Sequence, residues 1–242
     1  MPVNEVMTRV LDRMEHAADN ALSLAPDRPL SRTGTGVAEL DEVLEGGLVV
    51  GRVAVAAVDD TRLARAVITA VCRWCPVPVL AAVPDPVAAG RRVLAAEASL
   101  PEQGLCCASL PEALWQRLPD AVGRVADLDL AYVPAQTLEA LVAACTGEFA
   151  VVVVDVGPGL GAPARWLPTL SWLAQHRRVA VMAVTTAPAE RVQAVADPAV
   201  SVVLVTRGSR HDAAVVVDPV GLRVRAARFD GATATFGTAP AG

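Results

Sequence analysis

"VAVAAVDDTRLARAV", residues 53–67, begins as an unbroken run of Val and Ala and ends with apolar residues at helical spacing. A short apolar run bounded by polar residues and followed by an amphipathic stretch reads as a buried strand that turns into a helix. The turn between them is Val58-Asp59-Asp60-Thr61, with no glycine, no lysine and two adjacent acids. The same alternation continues along the chain. Strands are expected at Arg52–Val58, Val77–Val83, Leu130–Val133, Phe149–Asp155, Val179–Thr185 and Val200–Thr206, with helices at about 60–74, 86–99, 110–118, 135–146, 164–176 and 188–195. Continuous Val and Ala strands alternating with helices imply an α/β domain with a mostly parallel sheet covered on both faces. Two further strands, Ala213–Val217 and Leu222–Phe229, close the chain as an antiparallel hairpin turning at Pro219-Val220-Gly221.

The domain is expected to span residues 33–231. An amphipathic helix precedes it in residues 1–24, with Val3, Val6, Val10 and Met14 on one apolar stripe. A proline-containing linker, 25–32, joins the two, and a flexible tail, 232–242, follows. A helix set apart by a linker must bury its stripe on something, its own domain or a neighbouring subunit alike, and self-association or a protein partner is expected.

The chain has 242 residues, just over half of them apolar, few aromatics and a net charge of −5. That is a globular composition with a small-residue core. Its apolar runs are too short to span a bilayer, and the mixed-charge N-terminus is not a signal peptide, so a cytoplasmic protein without membrane contact is expected. All 21 basic residues are arginine. Schiff-base chemistry and a lysine on a nucleotide phosphate are therefore excluded. Five cysteines, Cys72, Cys75, Cys106, Cys107 and Cys145, are an odd number, and Cys72-Arg73-Trp74-Cys75 falls at the end of a helical pattern. They read as structural thiols, with a metal or redox site as the lesser alternative and no metal expected.

In open sheets ligands bind beyond the carboxyl ends of the strands. Those ends are Val58-Asp59-Asp60, Pro84-Asp85, Asp155-Val156-Gly157 and Thr185-Thr186. The flanking segment "TGTGVAELDEVLEGGLVVGRVAVAA" (33–57) carries Thr35-Gly36, Leu40-Asp41, Gly46-Gly47-Leu48 and Gly51. With "VLAAEASL" (93–100), "FAVVVVDVGPGL" (149–160), "RVAVMAVTT" (178–186) and "ADPAVSVVLVTRGSR" (196–210), it resembles RecA-like ATPases. The resemblance is strongest to the C-terminal domain of DnaB-type replicative helicases and extends to KaiC and RadA proteins. It implies a three-layer RecA-like domain, and the N-terminal helix resembles the helicase linker helix that docks on a neighbouring subunit.

Phosphoryl transfer in such proteins needs a glycine-rich cradle, a lysine, a hydroxyl on magnesium, a water-orienting acid and a basic finger. By the resemblance, Asp59, Asp60, Thr61 and Arg62 occupy the place of the phosphate loop. Asp155 stands for the magnesium-associated aspartate and Thr186 for the sensor glutamine, although an aspartate ending a buried strand reads equally as a cap for the following segment. Val83 occupies the place of the catalytic glutamate, with Asp85 as a displaced stand-in, and the finger segment is reduced to Asp218–Gly221. These losses imply a pseudo-ATPase without cofactor, with no ATP hydrolysis, serving as a binding or regulatory module in DNA replication, recombination or repair. Accessory proteins of mutagenic translesion synthesis are one such class, with no motif here to select them. Asp59 and Asp60 then read as a helix cap. The alternative is a helicase-like ATPase using ATP and magnesium at a non-standard site built from Thr61, Arg62 and Asp155.

Arg165, Arg177, Arg178, Arg207 and Arg210 are candidate DNA or partner contacts, although the acidic total does not favour DNA. Gly157-Pro158-Gly159-Leu160-Gly161 has the wrong spacing for a dinucleotide fingerprint. His16, His176 and His211 have no partnered carboxylate and read as structural or surface residues.

Overall fold

The computed structural model describes residues 31–107, 110–135, 137–146, 148–197, 199–207, 213–217, 224–230 and 235–236. Val3, Val6, Val10, Met14, Arg210, His211 and the Asp218–Gly221 turn lie outside them. The sheet belongs to a compact unit, Arg32–Gly242.

Two short strands, β1 (Arg32–Thr33) and β2 (Leu48–Val49), pair antiparallel around helix α1 (Ala38–Val43). The main sheet contains β3 (Val53–Val58), β4 (Val79–Val83), β5 (Leu130–Pro134), β6 (Val151–Val156), β7 (Ala180–Thr185), β8 (Ser201–Arg207), β9 (Ala213–Val217), β10 (Val224–Asp230) and β11 (Thr235–Phe236). Its order is β11-β10-β9-β8-β3-β7-β6-β4-β5. The strands from β8 through β5 run parallel, and β9, β10 and β11 add antiparallel.

Because strand side chains alternate between faces, the parity of each strand sorts its residues into two cores. Ala54, Ala56, Val151, Val153, Met182 and Val184 pack under α1, α2 (Thr61–Trp74) and α3 (Pro86–Ala98). Val53, Val55, Val152, Val154, Val181 and Ala183 pack under α7 (Leu138–Ala144), α8 (Pro163–Arg177) and α9 (Ala189–Gln193). The result is three layers, helix–sheet–helix.

The segment "TGVAELD" folds largely on itself. Asp41 accepts a hydrogen bond from the Thr35 amide at 2.7 Å, and the Thr35 hydroxyl accepts one from Val37 N at 3.1 Å. Gly36 has φ +78°, and a Cβ there would lie 1.9 Å from the Trp74 carbonyl oxygen. Gly47, φ +104°, meets the Thr33 carbonyl at 2.4 Å in the same way. These positions require glycine because neighbouring backbone occupies the space of a side chain.

Several expectations are corrected. The helix placed at 110–118 is two helices, α5 (Glu112–Trp115) and α6 (Leu118–Ala126). Pro119 lies in the first turn of α6, where its missing N–H costs nothing, and α6 seats Ala121 against Ala98 and Leu100. A further helix, α4 (Glu102–Cys106), precedes them. Arg32, assigned to the linker, opens β1. The tail is not wholly flexible: β11 pairs with β10, and Phe236 is fully buried in the α2-side core. One buried aromatic ring outweighs the small, polar residues around it.

Candidate functional site at the carboxyl edge of the sheet

The parallel register brings the ends of β3, β6 and β7 together, with Ala57 opposite Thr185 and Thr185 opposite Val156. At the head of α2, Asp60 is in extended conformation and caps the helix. Its Oδ1 accepts from Arg62 N at 2.8 Å and Leu63 N at 2.9 Å. These are the N–H groups that a bound phosphate would use at such a helix start. Thr61 and Arg62 lie exposed in the first turn, and Asp59 is exposed just before it. The expected cap is thus assigned to Asp60.

Asp155 has the parity of Val151 and Val153, so it faces the α2–α3 layer. Burial raises its carboxyl group above the ordinary range, while the charges of Arg92 and Arg65 draw it down. Arg92, on α3, is only 8% exposed. Burial lowers its pKa, Glu102 opposes that at 3.8 Å, Arg65 adds to it, and Asp155 and Tyr132 oppose it. The Tyr132 hydroxyl is buried nearby and burial raises its pKa. Two arginines from successive helices thus lie within electrostatic reach of one strand-end carboxylate.

The sequence motifs single out neither Arg65 nor Arg92, yet a signal for Arg92 is present. It shares the inward face of α3 with Ala89, Val93 and Ala96, and an arginine on an apolar helical face calls for a partner.

The remaining candidates disperse. Asp85 caps α3, accepting from Ala88 N at 2.9 Å, and Val83 is fully buried. Thr185 is buried and its hydroxyl accepts from Ala187 N, while Thr186 is exposed at the edge. Arg165 lies in the first turn of α8, whereas Arg177 ends that helix and Arg178 caps it in left-handed conformation. Arg207 ends β8. Arg165, Arg177 and Arg178 are thus carried by α8, and Arg207 by β8. A 3-10 turn, Pro158–Leu160, lies within the Gly157–Gly161 stretch, and α8 begins only at Pro163.

Cys72 is buried, its thiol pushed up to about 12 by burial, while Cys106 and Cys107 are exposed. Among the described residues no group of three or more His, Cys, Asp or Glu is placed to hold a metal ion. No helix among them is long and apolar enough to cross a membrane.

No protein-family model matches the chain, and no curated protein matches it by sequence. Solved structures do. One ATPase domain matches with a TM-score of 0.72 at 13% identity, over 98% of both chains. A DnaB-like replicative helicase, described with its interactions with primase, matches with a TM-score of 0.70 at 13% identity, over 98% of this chain and 67% of that one. The fold is that of RecA-like ATPases. The RadB recombinase, at TM-score 0.54 and 14% identity, covers 83% of this chain and 97% of its own.

These neighbours correct the expectation that the chain is not an enzyme: the RecA-like fold is shared along its length with an ATPase domain. The physical reason lies in what a loop motif measures. It registers residue identity at consecutive positions, whereas the fold shared with these ATPases is set by how strands and helices pack along the whole chain.

Proposed function

We propose that this RecA-like chain is a binding or regulatory module of DNA replication, recombination or repair, engaging a protein partner or further copies of itself. The observation that carries the reading is the Asp60 cap: the amides at the α2 head, where this fold would receive phosphate, are engaged by the chain's own carboxylate. The likeness to a replicative helicase and a recombinase supports the setting. The apolar stripe Val3, Val6, Val10 and Met14 is the proposed docking element for a partner or second copy. Light-scattering mass with and without residues 1–30 tests this. A larger assembly that reverts to monomer on truncation supports it. A monomer in both cases, with no protein retained from native extract by the full chain, refutes it.

A second reading is favoured by the arginines beside Asp155. In it, ATP with magnesium is held at a non-standard site by Thr61, Arg62 and Asp155, with Arg65 and Arg92 adding positive charge. Mg-ATP turnover that is lost in Asp155→Asn selects this reading. Unchanged turnover in that variant rejects the assignment.

A further inference from the structure

Helix α4 (Glu102–Cys106) is little more than one turn long and carries a different chemistry at each end. At its start Glu102 lies 3.8 Å from the Arg92 guanidinium of α3. Among the described residues this is the one ion pair of that buried arginine, and the other carboxylate acting on it is Asp155. At the far end stand two adjacent, exposed thiols, Cys106 as the last helical residue and Cys107 as the C-cap. The Cys107 amide donates to the Gln103 carbonyl at 3.1 Å and closes the turn. Cys72 and Cys145 are buried and Cys75 is half-buried, so Cys106 and Cys107 are the thiols that a dissolved oxidant meets first.

We propose that Cys106 and Cys107 form a redox modification site, an adjacent dithiol that a hydroperoxide converts to a disulfide, and that closing it unwinds α4 and withdraws Glu102 from Arg92. One thiolate sulfur attacks a peroxide oxygen and the O–O bond breaks. The sulfur becomes a sulfenic acid, and the other oxygen takes up the thiol proton and leaves as an alcohol, or as water from hydrogen peroxide. The neighbouring thiolate then attacks that sulfur; the S–S bond forms, the S–O bond breaks and water leaves. Two thiols have lost two electrons and one peroxide has gained them. The product does not fit the helix, where successive side chains diverge by about 100°. Adjacent Cα atoms are about 3.8 Å apart, closer than the minimum of about 4.4 Å usual for a disulfide. The ring therefore closes only when the backbone at 106–107 leaves helical geometry, which breaks the bond to Gln103. What remains of α4 is too short to hold a turn. A disulfide closed against such strain is easily reduced, so the modification is reversible. Neither step depends on the function proposed above.

The full chain is treated with hydrogen peroxide, alkylated and digested with trypsin. Cleavage after Arg92 and Arg117 releases residues 93–117, which carry both thiols and no other cysteine. After peroxide this peptide should escape alkylation and lie about 2 Da below its unmodified mass. Dithiothreitol before alkylation should reverse the change, and Cys106→Ser should not show it. Hydrogen exchange at the Cys107 amide should accelerate about tenfold or more on oxidation. Oxidation should lower the urea midpoint less in Glu102→Gln than in the wild type, because that variant has already lost the charge opposite Arg92. A peptide still fully alkylated, one carried to sulfinic acid, or a disulfide to another cysteine or another chain overturns the dithiol site. Unchanged exchange in the oxidised chain overturns the unwinding, and an equal fall in urea midpoint in Glu102→Gln overturns the link to Arg92.

Discussion

Replacing Asp60 with alanine removes the acceptor of two hydrogen bonds at the head of α2, from Arg62 N and Leu63 N. Loss of an N-cap aspartate costs about 1 kcal/mol, and loss of its charge from the positive end of the helix dipole adds about 0.5 kcal/mol. The sum, about 1.5 kcal/mol, corresponds to a fall in melting temperature of about 3 to 6 °C for a domain of this size. Asp60→Asn keeps the acceptor and loses only the charge, so its fall should be about 1 to 2 °C. Thermal melts of the two variants followed by circular dichroism measure both. The alanine variant also leaves the two amides open, so tripolyphosphate should raise its melting temperature more than that of the wild type. An alanine variant that melts with the wild type refutes the cap. An asparagine variant as unstable as the alanine one refutes the hydrogen-bond part and leaves only charge.

Gly36→Ala places a methyl group into the Trp74 carbonyl at a positive φ and should cost more than about 3 kcal/mol, read as a lost or strongly shifted urea transition. Phe236→Ala should cost about 3 to 5 kcal/mol, as for a fully buried ring, whereas a wholly frayed tail would show no change in the same transition. Burial pushes Glu97 upward, but hydrogen bonds from Arg124 and Arg73 and their charges hold it below the ordinary carboxylate value. Its contribution to stability is therefore present above the unfolded value and lost as pH falls through the folded one. Glu97→Gln should accordingly show a flatter acid limb in urea midpoint against pH. Asp155 has the opposite sign: its pKa is raised, so charging it costs stability at neutral pH. Asp155→Asn should melt at or above the wild type at pH 7, and the difference should close as pH falls from the raised value towards the ordinary one. A lower-melting variant at neutral pH contradicts that account.

Much of the sheet is legible in the chain because its information is local. Val and Ala runs such as Val151–Val154 identify strands buried on both faces, and the helices between them make parallel pairing the natural outcome. The Thr35/Asp41 pair of the entry segment is likewise local, whereas its glycines also meet distant backbone: Gly36 lies under the Trp74 carbonyl and Gly51 N donates to the Val179 carbonyl. The absence of lysine is a fact of composition and holds in any fold.

What the tertiary structure decided are contacts between residues far apart in sequence. Arg65, Arg92 and Asp155 come from α2, α3 and β6, and no periodicity within one element shows that their charges meet. Phe236 lies in a segment of small polar residues and is buried only because a core formed by α2 and the sheet is there to receive it. The outward Trp172 depends on which side of α8 the sheet covers. Periodicity records the face a residue takes within its own element, whereas the charge or ring it meets depends on how elements pack, which is settled when the three layers close.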